Sequence, residues 1–423
     1  MTIKKTKEKN SSNQWLELAK RGMLHDPLIR TALEQLSVNT QDNECYKIIE
    51  DAIYSYDVRE ILSPEPFRLS NPSHKHQVGG PIHLGVVSHT GAKWGLYSKA
   101  LTRHLLTVGK TGAGKSNLIK HIIRQLLNEN ISIIVPDRKQ DFFELAIKYD
   151  FLYLLHDDFY DNWLLPPEGV DPLLWHNILA EILAIHFELR IGAQGLIVEV
   201  LTELTNAISQ FPTLHDVIKK LHKIAYVDKS YNKESALRLS FRLKWLLTVL
   251  GNNVASSKTP DWSILMKSSW AFSISGLASS IQTLCVTVYF AKVLLYRISN
   301  NLISDELECL FVLDEASVIF PKSASKKTSL LLDYFQQARA FGLGVIVASQ
   351  SMNLAQEIYA NTGIKVSFAL GYGADFSEFA SAVGLNKEKS DFMRTISKPG
   401  SAVVRDPRYP TPFTVQIERP HDE

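Results

Sequence analysis

The chain has few cysteines. Cys45, Cys285 and Cys309 are widely separated, with no CxxC pair and no companion histidine at metal-ligand spacing. That excludes a disulfide framework and a zinc module, and it predicts reduced core thiols in a cytoplasmic protein. Long apolar runs are also lacking, since stretches such as Leu284 to Tyr296 read as too short and too interrupted to span a bilayer. The basic start MTIKKTKEKN leads into no apolar segment, so no signal peptide is expected. Neither charge dominates: 46 basic residues against 44 acidic ones leave a formal +2 and a pI near 8.2. Any contact with a polyanion must then come from a local cluster of lysines and arginines. There is no internal repeat and no low-complexity tract. With 45% hydrophobic and 21% charged residues, the 423-residue chain is globular and long enough for one large α/β domain plus an accessory region.

Residues 1–80 read as a helical N-terminal region and linker. Asp26-Pro27 is a helix-start signal, Leu28, Ile29, Leu33 and Leu36 follow at helical spacing, and Pro64, Pro66, Pro72, Gly79 and Gly80 interrupt the chain. From Ile82 to Tyr97, short stretches broken by Gly85, Gly91 and Gly95 predict a β-hairpin. Strands are predicted at Leu105–Val108, Ile131–Val135, Trp270–Ser275, Cys309–Leu313, Leu343–Ala348 and Lys365–Leu370, alternating with helices such as Lys115–Leu127 and Ile281–Leu295. That alternation predicts an α/β fold with a mainly parallel sheet covered on both faces, starting in residues 81–170 and resuming in 261–423. Residues 171–260 read instead as a helical insertion, with helices at Leu173–Phe187, Ala193–Ile208, Thr213–Leu221 and Ser235–Leu250.

The strongest chemical signal is Gly109-Lys110-Thr111-Gly112-Ala113-Gly114-Lys115-Ser116, a full G-x-x-x-x-G-K-[ST] match between a predicted strand and a predicted helix opening at Lys115-Ser116-Asn117. In such a loop successive backbone N–H groups wrap the phosphates of ATP. Lys115 reaches the β and γ phosphates, and the Ser116 hydroxyl coordinates Mg²⁺. A second acid for the metal is offered where the apolar run from Cys309 to Leu313 ends in Asp314-Glu315. Asp314 is read as the Mg²⁺ residue and Glu315 as the general base that polarises water. Gln350, at the mouth of a buried strand, is placed to sense the γ phosphate; the plainer reading is a strand-end polar residue. Arg339 is a candidate arginine finger acting on a neighbouring subunit's site, or else a surface ion-pair residue on a helix.

With these motifs stands a wider set: Leu101-Thr-Arg103-His104 before the P-loop, Pro136-Asp137-Arg-Lys-Gln-Asp141 after the second strand, Asp314-Glu315-Ala316, Arg339-Ala-Phe-Gly342, Ala348-Ser-Gln350 and Asn361. Lys398-Pro-Gly400-Ser-Ala-Val-Val and Pro412-Phe-Thr-Val-Gln-Ile close the chain. Together they resemble the HerA/FtsK superfamily of ring-forming translocases, and HerA within it, over residues from about 82 to 420. The resemblance implies a RecA-like (ASCE) P-loop NTPase core. It implies Lys115, Ser116, Asp314, Glu315 and Gln350 at the nucleotide, Arg339 acting across the subunit boundary, and Arg103 as a further positive contributor at the phosphates or the interface. Arg138 and Gln140 depart from the family's usual Asp-Pro-Lys-Gly-Glu, and Ser317 stands where a histidine is common. Residues 1–100 offer too little strand sequence for the N-terminal barrel typical of HerA.

The expected function is an ATP-hydrolysing homohexamer that translocates on double-stranded DNA with a nuclease or other effector partner and no membrane. The alternatives are a nucleotide-gated scaffold in an anti-phage defence complex and a conjugation or secretion ATPase. Lys322, Lys326 and Lys327, in a serine-rich loop, are the candidate contacts to DNA phosphates, with the polar loop Gly251 to Lys258 as another.

Overall fold

The computed structural model describes residues 27–39, 42–62, 79–88, 91–149, 151–189, 191–207, 211–226, 233–257, 259–322, 332, 335–385 and 387–418. The expected hairpin is present as Ile82–Val87 (β1) and Lys93–Leu96 (β2), paired antiparallel. The next strands are Leu105–Val108 (β3), Ser132–Asp137 (β4), Leu152–Leu155 (β5), Trp270–Ser273 (β6), Ser304–Leu313 (β7), Phe341–Ser349 (β8) and Ile364–Ser367 (β9). These run parallel in the spatial order β9-β3-β8-β7-β4-β6-β5. Ser401–Arg405 (β10) and Phe413–Ile417 (β11) add on antiparallel beside β9 and connect the hairpin to the sheet, completing eleven strands.

The central strands are apolar along their length because both sheet faces are covered. Residues of β3 and β4 are all buried. Side chains alternate between two cores. Leu106, Ile134, Phe311 and Val347 join the core under the Ser279–Ser299 helix and the insertion. Leu105, Ile133, Leu310 and Ile346 join the core under the Lys115–Leu126 helix, which contributes Leu118, Ile119, Ile122 and Ile123. β8 therefore lies between the P-loop strand β3 and the acidic strand β7, so the ends of all three meet at one edge.

The insertion holds the helices Pro172–His186, Ile191–Ala207, Leu214–Tyr226 and Lys233–Leu250. Asp171 starts the first of them, its Oδ1 accepting the Leu174 N–H at 2.8 Å with Pro172 in the first turn. Lys292 of the long helix donates to Asp161 at 2.7 and 2.9 Å and to Asn162 O at 3.2 Å; both side chains are fully buried, and the Trp175 and Trp262 rings lie 5.5 Å from the ammonium. Losing either partner would leave a buried charge alone.

That helix differs from the expectation for Leu284 to Tyr296. It runs 21 residues, long and apolar enough by length and composition to cross a membrane, yet 78% of the relevant window is buried inside the fold. β5 had no forecast either. Its LYLL sits at the sheet edge with Leu152 and Leu155 nearly half exposed, so neither alternation nor a buried run marks it. At the other end of the chain, the helices Pro27–Val38 and Asn43–Leu62 share a small cluster of Ile29, Leu33, Leu36, Cys45 and Ile49. Asp26 and most of the expected linker lie outside the described residues. Cys45, Cys285 and Cys309 are free and buried.

Candidate nucleotide site

The P-loop leaves β3 and is tied to both neighbouring strands. Gly109 N–H donates to Ser349 O at 3.2 Å on the β8 side, and Lys110 N–H donates to Ala369 O at 2.8 Å on the β9 side. Gly114, at φ +125, precedes the helix with no side-chain cap, and a Cβ there would come within 2.9 Å of the Phe368 ring. Only glycine fits that contact and that backbone. The first N–H groups of the Lys115–Leu126 helix are thus available to an anion.

Lys115 Nζ donates to Gly109 O and, at 3.2 Å, to Lys110 O, so the ammonium is held over the loop. Burial lowers its pKa, opposed chiefly by Asp314. Asp314 is itself pushed up by burial, with the Lys139 charge opposing and the Glu315 charge adding. A largely buried carboxylate in the field of the phosphate-loop lysine, with a hydroxyl on the next residue, Ser116, suits a divalent cation bound with a triphosphate. Together with the uncapped helix start, the residues fit ATP and Mg²⁺. Asn117 follows on the same helix, and Ala113 is buried beneath the loop.

Glu315 is the hub. Its backbone takes φ +54, a left-handed value that costs a non-glycine residue about 1–2 kcal/mol. Its Oε1 accepts Lys139 Nζ at 3.0 Å and Gln350 Nε2 at 3.0 Å, while Arg138 Nη1 lies 3.5 Å from Oε2. Burial pushes its pKa up, but Lys139, Arg138 and Gln350 together hold the net value below the usual range. Gln350 Oε1 in turn accepts Thr111 Oγ1 at 3.3 Å. The strand-end glutamine therefore connects the P-loop to the acid, as a sensor of loop occupancy requires.

Several residues took positions that the motifs alone did not give. Asp137, of unassigned role in sequence, is buried and accepts N–H groups of Lys139, Asp141 and Phe142 plus Tyr153 O–H, all at 3.0–3.3 Å. It shapes the loop that presents Arg138 and Lys139. The placing of those two cations at Glu315 has no local signal beyond their position in Pro136-Asp137-Arg-Lys-Gln-Asp141.

Arg103 and Arg339 are brought together, but away from this chain's own phosphate loop. Arg103 ends the 3-10 turn Ser98–Arg103 before β3, whereas the P-loop follows the other end of that strand. Of the two expectations for Arg103, at the phosphates or at the subunit interface, this position sets it apart from its own chain's loop and leaves the interface. Arg339 lies in a 3-10 turn, Ala338–Ala340, rather than on the expected helix. Both are exposed and line one cleft of about 350 Å³ with Tyr97, Lys99 and Arg408. Among the described residues no carboxylate pairs with either, while the neighbouring Lys99 and Arg408 are taken by Glu306 and Asp406.

His104 holds this arrangement. Its Nδ1 accepts Val345 N–H at 3.1 Å, which leaves Nε2 as the donor to Phe335 O at 3.2 Å, just before the Arg339 turn. Burial, reinforced by the Arg339 charge against the Phe335 bond, lowers its pKa to about 4. An unfolded histidine titrates near 6.5, so the folded state binds protons less readily. The stability is full above about pH 6.5 and is lost as pH falls toward about 4. Between pH 7 and 5 this site alone is expected to cost about 2 kcal/mol of unfolding free energy. Urea unfolding of wild type and His104→Asn at both pH values checks it. The variant should lose that much less between the two, and equal losses would refute the assignment.

The DNA candidates fare unevenly. Lys322 Nζ pairs with Glu378 at 2.9 Å, and Lys326 and Lys327 lie outside the described residues. Of the Gly251 to Lys258 loop, Asn252 and Ser257 are exposed and Lys258 lies outside the described residues. Gly251–Ala255 is a 3-10 turn with Asn253 buried, donating to His156 O and Asp157 O.

The family described as "Helicase HerA, central domain" matches residues 82–293. A curated relative, the DNA import protein CedB of Sulfolobus acidocaldarius, is 20% identical over 409 residues, covering 92% of this chain. The chain spans about two thirds (66%) of that protein's length. VirB4 of Thermoanaerobacter pseudethanolicus superposes with a TM-score of 0.61 at 17% identity, covering 81% of this chain and 98% of that one. The bacterial conjugative coupling protein TrwB gives 0.62 at 13% identity, covering 84% and 96%; it has also been solved with ADP and Mg²⁺. These structural likenesses show the fold, a RecA-like P-loop ATPase core.

Proposed function

We propose that this chain, which belongs to the HerA helicase central-domain family, is one subunit of an ATP-hydrolysing ring that moves along double-stranded DNA. The observation that carries the ring is the division of the site. Lys115, Ser116, Asp314, Glu315 and Gln350 lie toward one edge of the sheet, while Arg103 and Arg339, without a carboxylate partner among the described residues, lie at the other. A chain so built completes its site when the arginines of one subunit face the phosphates of the next, as in a closed homohexamer.

In this reading the Gly109–Ser116 loop and the N-terminus of its helix bind the phosphates, and Lys115 neutralises the β and γ oxygens. Ser116 and Asp314 hold Mg²⁺, which when bound offsets charge on the transferring phosphoryl group. Glu315 orients water and takes its proton as the oxygen attacks the γ phosphorus, with ADP leaving. Gln350 reports the γ phosphate from Thr111 to Glu315, and the neighbour's Arg339 and Arg103 stabilise charge developing in flight. Lys326 and Lys327 are proposed to touch DNA phosphates without reading bases; Lys322 would first leave Glu378.

The match to a DNA import protein along 92% of the chain favours, as a second reading, a motor for DNA transfer over one paired with a nuclease effector. Both move DNA. A nucleotide-gated scaffold does not, and DNA dependence separates them. Duplex DNA is expected to raise the rate of ATP hydrolysis at least about fivefold at low salt, the stimulation fading as salt screens the phosphate contacts. A rate indifferent to duplex DNA across that range would favour the scaffold.

A further inference from the structure

The Arg138 guanidinium is a buried cation beside Glu315. Its side chain is 3% exposed, and its nitrogens divide between the Ser279–Ser299 helix and Glu315 beyond β7. Nε donates to Gln282 Oε1 at 2.9 Å and Nη2 to Ser279 Oγ at 3.1 Å, both in the first turns of the Ser279–Ser299 helix. Nη1 has no hydrogen-bond partner and faces Glu315 Oε2 at 3.5 Å. Gln282 is itself fixed, its Nε2 donating to Ile274 O at 3.0 Å just beyond β6.

Burying a guanidinium is unfavourable unless an anion answers it, and among the described residues Glu315 is the one carboxylate in ion-pair range. Lys139 also contacts Glu315, but it is half exposed on a long flexible stem, so it supplies charge without fixing position. Arg138 differs because two hydrogen bonds lock its fork. The free Nη1 then marks one direction in space, and Glu315 occupies it.

We propose that Arg138 is a positioning residue that aims the Glu315 carboxylate and ties it to the first turn of the Ser279–Ser299 helix. This rests on the reading of Glu315 as the base. That helix packs against the insertion in a shared core, so a shift of the insertion on its partner would move Gln282, Arg138 and the carboxylate together.

The test is steady-state hydrolysis and separately measured ATP binding for Arg138→Met, Ser279→Ala with Gln282→Ala, and all three combined. Arg138→Met is expected to lower kcat about tenfold or more while ATP affinity stays within about twofold, the pattern of a misplaced group that does not hold the ground state. The Ser279/Gln282 pair should lower kcat in the same sense, and the triple variant should be no worse than Arg138→Met, because all three act through one contact. If Arg138→Met does not fold, Arg138→Lys, which keeps the charge but not the fork, should show the same split more weakly. Additive losses, an affinity that falls with kcat, or unchanged kcat would overturn the proposal. Glu315→Gln is the control. If it still hydrolyses ATP, the base assignment has failed; if it is inactive while Arg138→Met is normal, the positioning role alone has failed.

Discussion

Lys115→Ala is expected to reduce ATP hydrolysis by at least about a hundredfold to a thousandfold, the range lost when a preorganised donor to the reacting group is removed. Lys115 is the one side-chain ammonium held within the loop, by Gly109 O and Lys110 O, and it lies in the field of Asp314. ATP binding should weaken as well, since the lysine meets the phosphates in the ground state. Glu315→Gln should separate the two effects. It is isosteric, and Ser116, Asp314 and the loop stay in place, so ATP should still bind while hydrolysis falls about a hundredfold or more. Paired measurements of nucleotide affinity and turnover check both. Near-normal turnover in Lys115→Ala would remove the phosphate-cradle reading, and lost binding in Glu315→Gln would make Glu315 a structural or metal residue.

Arg339→Ala is expected to remove most hydrolysis while leaving ATP binding near normal. An arginine supplied in trans to a phosphoryl-transfer site is worth about 10³–10⁵ in rate. The cleft it shares with Arg103 lies across the sheet from this chain's own loop, so in the proposed ring its effect is expected at a neighbour's site. Mixed rings expose that dependence. Arg339→Ala subunits keep an intact loop and Lys115→Ala subunits keep an intact arginine, so mixing the two should restore part of the activity. Lys115→Ala mixed with Glu315→Gln should restore none, because each site still lacks a residue of its own. Mixed assemblies verified by mass that show no recovery in the first case would count against action in trans.

What the sequence made legible followed from strong local constraints. The loop Gly109–Ser116 is readable because glycine at Gly114 is forced by the Phe368 ring and by its φ, and the strands that position it are buried on both sides. The hairpin, the parallel core and the helical insertion carried their periods plainly. β5 did not, because an edge strand with exposed leucines has neither pattern. Asp137 was ambiguous for a different reason: a carboxylate that caps backbone N–H groups looks the same in sequence as one that binds metal. The clustering of Arg138 with Glu315, 177 positions apart by their numbers, and of Arg103 with Arg339 depends on strand order, which no local pattern encodes. Asn253, in the Gly251 to Lys258 segment, shows the converse, since this polar side chain satisfies backbone carbonyls rather than solvent.

Movement along duplex DNA is tested most directly by displacement of a third strand from a DNA triplex placed at increasing distances from a duplex end. With ATP, wild-type protein should release the third strand after a lag that lengthens with the distance travelled, and Glu315→Gln should release none beyond the spontaneous rate. ATP hydrolysis that proceeds at full rate while the triplex dissociates no faster than on its own would contradict translocation.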